Sequence, residues 1–236
     1  MKIAFIADIH ANIHALSEVL RDIDDKNIEH VYCLGDLVGY MPFPNEVIEL
    51  IKSRNIRTVR GNYDESVGED LLVCGCDYKT PRDMELASRS LLWTQENTSA
   101  QNKEYLRSLP ESIELNIGGR RVLLVHGSPR KNNEYLYEDS QELKEVAADC
   151  SFDVLVCGHT HLPYYKVLNG KHIINAGSAG KPKHMSPDAT YVVAEISNTA
   201  VRVEIVEIPY DFERAAKAIE DSALPDEFAA LVRRGS

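Results

Sequence analysis

The chain has 236 residues and carries 37 Asp and Glu against 26 Lys and Arg, a formal charge of −11. That length suits one domain or at most two, with ample chain to bury a core. A composition 44% hydrophobic and 27% charged argues against disorder, and the acidic balance argues against an extended nucleic-acid surface or an anionic membrane as partner.

In chain order, Lys2–Ala7 reads as a strand, Ala11–Lys26 as a helix, His30–Leu34 as a strand, Asn45–Lys52 as a helix and Ile56–Val59 as a strand. That alternation argues for βαβ units and a parallel sheet. The stretch 65–109 is mostly polar and helical, broken at Gly68, Gly75 and Pro81, and is expected to lie beside the sheet with Trp93 as an apolar anchor. Arg121–Val125 and Asp153–Cys157 read as strands, with a helix at Asp139–Ala148 between them. Tyr164–Leu168, Lys171–Ile174, Tyr191–Ile196 and Val201–Ile208 follow as an antiparallel series with short turns, Asn169-Gly170 among them. Past Pro209 the pattern suits one or two short helices. No repeat or low-complexity linker interrupts the chain. The expectation is one domain over 1–236, with a mostly helical insertion at about 65–110 and a helical tail at about 211–236.

No apolar run approaches a membrane span, and the first charged position after Lys2, Asp8, comes too soon for a secretory leader. The five cysteines (Cys33, Cys74, Cys76, Cys150, Cys157) are an odd set without disulfide-framework density, so a cytoplasmic location is expected.

Residues able to do chemistry fall at the ends of the five βαβ-type strands: Asp8 and His10; Gly35-Asp36; Gly61-Asn62; His126-Gly127; and Gly158-His159-Thr160-His161. In α/β sheets ligands bind outside the carboxyl ends of the strands. A lone Gly-Asp or Gly-Asn is usually a turn; five such ends in one chain form a constellation. Asp8, Asp36, Asn62, His10, His126, His159 and His161 are too many donors for one tetrahedral zinc and too rich in nitrogen for calcium or magnesium. They suit two first-row divalent ions sharing a carboxylate, roughly 3.5–4 Å apart, an arrangement that clamps both oxygens of a phosphoryl displacement. The nucleophile would be hydroxide held between the metals, with no need for Ser or Cys.

These motifs, Asp8-Ile9-His10, Gly35-Asp36, Gly61-Asn62-Tyr63-Asp64, His126-Gly127 and Gly158-His159-Thr160-His161, resemble the calcineurin-like metallophosphoesterase superfamily. GDLVGYMPFPNEVIE and NAGSAGKP look like its bacterial and archaeal phosphodiesterase branch. The resemblance implies an α/β fold, a four-layer αββα sandwich with two central mixed β-sheets. It implies a first metal on Asp8, His10 and His161, a second on Asn62, His126 and His159, and Asp36 bridging both. The pair would be Mn, Fe, Zn, Ni or Co, with manganese favoured. Asp36, Asn62, Tyr63 and Asp64 are the catalytic candidates.

Tyr63 departs from the family pattern, which has a His there to stabilise the transition state or protonate the leaving oxygen. A phenol, with a reference pKa of about 10, is a feeble acid near neutrality. The expected substrate is therefore a small phosphodiester or nucleotide with a good leaving group. The alternatives are a Ser/Thr phosphoprotein phosphatase, or a metal-poor protein-binding scaffold on the same fold. Asn12, Lys181 and His184 are candidate substrate contacts, while His14, His30 and His172 read as structural. Gly177–Lys181 fails the spacing of a phosphate-binding loop, and Cys74-x-Cys76 lacks a partner pair for zinc. The C-terminal helices offer a surface on which a homo-oligomer could form.

Overall fold

The computed structural model describes residues 1–78, 80–149 and 151–236. In chain order its elements are β1 (Lys2–Ile6), α1 (Ile13–Asp25), β2 (His30–Cys33), α2 (Pro44–Ser53), β3 (Arg57–Thr58), α3 (Asn62–Gly68), α4 (Pro81–Asn97) and α5 (Ala100–Ser108). Then come β4 (Ser112–Ile117), β5 (Arg120–Val125), α6 (Gln141–Asp149), β6 (Val154–Cys157), β7 (Tyr164–Leu168), β8 (Lys171–Asn175), β9 (Ala189–Ile196), β10 (Val201–Ile208), α7 (Phe212–Glu220) and α8 (Glu227–Arg234).

The strands form two mixed sheets of five, ordered β10-β9-β1-β2-β3 and β4-β5-β6-β8-β7. In the first sheet β1, β2 and β3 run parallel, and β9 runs antiparallel to both β1 and β10. In the second, β5, β6 and β8 are parallel and the edge strands β4 and β7 are antiparallel.

Period-two alternation sets the layers. Along β1, Ile3 and Phe5 face the second sheet and pack with Val122, Leu124, Val154 and Val156, while Ala4 and Ile6 face the helices. On that helical side, α1 buries Ala15, Leu16, Val19, Leu20 and Ile23, one face at helical spacing. Beyond the second sheet, Leu143, Val146 and Ala147 of α6 pack on Leu123, Val125 and Leu155. The result is helix, sheet, sheet, helix, the expected αββα sandwich.

Three details differ from the sequence reading. Strand β4 was not expected; its exposed Ser112 and Glu114 alternate with buried Ile113 and Ile117 only because it forms a sheet edge against β5. The series 164–208 is two hairpins rather than one, β7–β8 in the second sheet and β9–β10 in the first. Helix α1 starts at Ile13, two residues later than expected, because His10 and Ala11 take left-handed φ values of 49° and 56° before Asn12 caps the helix.

Candidate metal centre

The carboxyl ends of β1 and β2 in one sheet and of β5 and β6 in the other converge on one point, joined by the start of α3. They bring Asp8, His10 and His161 into one group and Asp36, His126 and His159 into a second, with ligand atoms within 4.8 Å of one another in each. All six are buried.

The imidazoles are set by their second nitrogens. Nδ1–H of His10 donates to the Val38 carbonyl (3.0 Å), that of His126 to Leu34 (2.8 Å) and that of His161 to Lys181 (2.5 Å). Each therefore presents a bare Nε2 inward, the tautomer a metal ligand needs. His10 Nε2 and His161 Nε2 face each other at 3.2 Å. His126 Nε2 faces the Asn62 carbonyl oxygen at 2.9 Å and His159 Nδ1 at 3.1 Å. Asn62 is held in that orientation by its own amide N–H groups, which donate to the Cys74 carbonyl (2.8 Å) and the Cys76 sulfur (3.2 Å).

Facing acceptors with no proton between them call for a cation. Asp8 Oδ1 makes the same point, being a buried carboxylate oxygen with no hydrogen-bond partner among the described residues. Asp36 Oδ2 lies 3.6 Å from His10 Nε2 and 3.5 Å from His126 Nε2, so one carboxylate oxygen serves both groups. The donor set fits a pair of divalent cations.

Burial supplies the electrostatics. It pushes the Asp8 carboxyl up to about 7 and Asp36 well above the carboxylate range, Asp36 also feeling the charge of Asp64. It holds His10, His159 and His161 well below the usual imidazole value, so they are neutral and ready to ligate. Strain is concentrated here too. Five of the seven ligand candidates, Asp8, His10, Asp36, His159 and His161, have φ between 49° and 64°. Such conformations cost of order 1–3 kcal/mol each and persist where the surroundings dictate them. The Gly35-Asp36 and Gly61-Asn62 turns press together so closely that a Cβ on Gly61 would lie 2.1 Å from Asp36 Oδ1.

The remaining candidates divide. Tyr63 lines the cleft over the centre, fully buried against His10 and Tyr40, with its hydroxyl 3.5 Å from that of Tyr78. Its ring lies so close to Gly39 that a Cβ there would sit 2.5 Å from it. Burial raises its hydroxyl well above the usual phenol value. Asp64 is not a group of the cleft: its two oxygens accept from the backbone N–H groups of Asp36, Leu37 and Gly61, tying two ligand turns together. Asn12 is not a substrate contact. Its oxygen caps α1 at Ala15 N–H, and its amide donates to the Gly180 carbonyl and the Tyr210 hydroxyl. His184 is also away from the cleft, its Nε2 3.8 Å from Glu207 of β10. Lys181 does line the cleft, its ammonium 4.7 Å from the Tyr40 ring centre, and Lys183 joins it.

The sequence reading missed the rest of the wall. Tyr40, Tyr78, Tyr135, Leu86, Phe228 and Leu231 line a cleft of about 220 Å³ above the ligand groups. Tyr135 lies over the His159 ring, centroids 4.0 Å apart. Tyr40 stood in the quoted stretch GDLVGY, but an aromatic residue in a loop carries no local mark of its role.

Comparison with known proteins agrees with this geometry. A protein of Methanocaldococcus jannaschii, MJ0912, is 34% identical, over 95% of this chain and 94% of its own. A probable metallophosphoesterase of Methanothermobacter thermautotrophicus is 30% identical, over 87% of this chain and 92% of its own. The crystal structure of a metallophosphoesterase from Sphaerobacter thermophilus is 29% identical and superposes with a TM-score of 0.79, covering 100% of this chain and 99% of that one. The family model of the calcineurin-like phosphoesterase superfamily domain matches residues 1–199, a span that holds every ligand candidate from Asp8 to His161. With the αββα sandwich and both ligand groups in place, the chain belongs to the calcineurin-like phosphoesterase superfamily.

Proposed function

We propose that the protein is a binuclear metal-dependent phosphoesterase acting on small phosphodiesters or nucleotide-type substrates. The observation that carries the reading is Asp36 Oδ2, which lies 3.6 Å from the bare Nε2 of His10 in one buried ligand group and 3.5 Å from that of His126 in the other. A bound metal pair, with manganese favoured, supplies Lewis acidity to a phosphoryl oxygen and to the attacking water. The chain's own residues do the rest. Asp8, His10 and His161 hold one cation, Asn62, His126 and His159 the other, and Asp36 fixes their spacing. Lys181 and Lys183 stand in the same cleft; burial lowers both ammonium groups, Lys181 to about 7, and a phosphoryl anion beside them favours their charged form.

The diester preference rests on Tyr63. Its ring is packed against Tyr40 and His10, its hydroxyl lies toward Tyr78, and burial holds its proton tightly, which makes it a poor acid for a departing alkoxide. Leaving groups that need no proton are favoured. The four described thiols assigned free, Cys33, Cys74, Cys76 and Cys157, support a cytoplasmic setting, and the small cleft supports a small substrate over a phosphoprotein. Among the described residues no helix is long and apolar enough to cross a membrane.

The test is a substrate panel with the Mn²⁺-loaded protein. An aryl phosphodiester is expected to turn over faster than serine phosphate. The reverse order would remove the diester preference. Fewer than one transition metal per chain after purification without chelator, with no rescue by Mn²⁺, would favour a scaffold instead.

A further inference from the structure

Part of the cleft wall comes from beyond the span of the family model. The family model ends at residue 199, whereas Phe228 and Leu231 of α8 line the cleft opposite the ligand groups, beside Leu86 and Ala87 of α4. A line of ring contacts links α8 to the ligand groups. His10 meets Tyr40 edge-on with centroids 4.9 Å apart, and Tyr40 meets Phe228 edge-on at 5.3 Å. Tyr40 thus stands between a metal ligand and Phe228, and the three rings form one packed edge of the cleft. The cleft is small enough to set the size of what enters it: about 220 Å³, room for a phosphoryl group and about one ring, lies below the roughly 300–1,000 Å³ of pockets that take drug-sized ligands.

Helix α8 is fastened at both ends. Glu227 at its start pairs with Arg82 of α4, and the Met185 N–H donates to the Gly235 carbonyl just past its end at 2.9 Å. The second contact ties the helix to the segment that carries Lys181 and Lys183. The wall is therefore a fixed part of the site.

Resting on the phosphoesterase reading above, we propose that α8, through Phe228, is the specificity determinant of this enzyme, restricting it to phosphodiesters whose group beyond the scissile bond is no larger than one ring. Its apolar face suits a flat aromatic or sugar-sized group and excludes a dinucleotide or a peptide chain.

The test compares methyl p-nitrophenyl phosphate, with one ring, and thymidine 5′-p-nitrophenyl phosphate, with three, in the Mn²⁺-loaded full chain. The wild type is expected to prefer the smaller diester. Phe228→Ala should shift the ratio of kcat/KM toward the larger one by about tenfold or more, mainly through its KM. Phe228→Leu, which keeps an apolar side chain on α8, should shift the ratio in the same direction by less. Damage to folding alone would lower both rates together and leave the ratio unchanged. A wild type indifferent to size, or a ratio unmoved in both variants, overturns the role of α8 and leaves the phosphoesterase reading standing. A metal-loaded wild type that turns over neither diester overturns both.

Discussion

Tyr63 stands where the resemblance of the Gly61-Asn62-Tyr63-Asp64 motif implies a His, and its surroundings explain what a phenol does there. The ring fills the space that Gly39 leaves open, its backbone N–H donates to Asp36 Oδ1 at 2.8 Å, and its hydroxyl is turned toward Tyr78. The backbone half of the position serves the bridging carboxylate, while the side-chain half supplies no acid. Tyr63→His should therefore keep the metal and raise phosphomonoesterase activity at least several-fold, within the 10²–10⁴ range of general acid catalysis. Steady-state rates on an alkyl phosphate check it, and an unchanged rate would remove the leaving-group argument. The residues gathered at the centre were legible in the sequence because each follows an apolar run and stands beside a small residue. Asp64 and Asn12 were misread for one physical reason. A polar side chain next to a ligand looks alike in sequence whether it faces substrate or backbone, and here both spend all their polar atoms on the chain.

At the scale of elements, α1 shows how a cap can build a site at a distance. Asn12 ends the turn that carries His10, starts the helix, and reaches across to Gly180, one residue before Lys181. Asn12→Ala removes the cap and strands a buried carbonyl and a buried hydroxyl. The expected loss is about 2–4 kcal/mol, measured as a lower urea midpoint with unchanged m-value. Helices and parallel strands were readable from periodicity, since their patterns are local. The splitting of 164–208 between two sheets was not, because hairpins of the same pattern dock wherever their apolar faces are covered. Nor was the part played by α8: nothing local links Phe228 to His10, and only the contact through Tyr40 does.

Across the whole molecule, a chain of charge −11 contains a pocket prepared for anions. The acidic surface and the lysine-lined cleft are separate fields, and composition reports only the first. In the metal-free protein, burial holds Asp8 at about 7, so the carboxylate a cation needs is unprotonated only above that pH. Metal binding must then release a proton below about pH 7, and affinity must weaken as pH falls through it. Mn²⁺ titration calorimetry at about pH 6 and pH 8, in buffers of different ionisation enthalpy, should show tighter binding at the higher pH and proton release at the lower. Equal affinity at both would contradict the burial of Asp8.

Each ligand group draws on both sheets: Asp8 and His10 follow β1 while His161 follows β6, and Asp36 follows β2 while His126 and His159 follow β5 and β6. His10 and His161 stand 151 residues apart in sequence. A cation held between them works as a reversible rivet through the sandwich, closing a loop whose entropy an unfolded chain would otherwise regain. Neither group exists until both sheets have formed and docked, so metal capture is a late event in folding. A cation there would therefore resist the sliding of one sheet over the other.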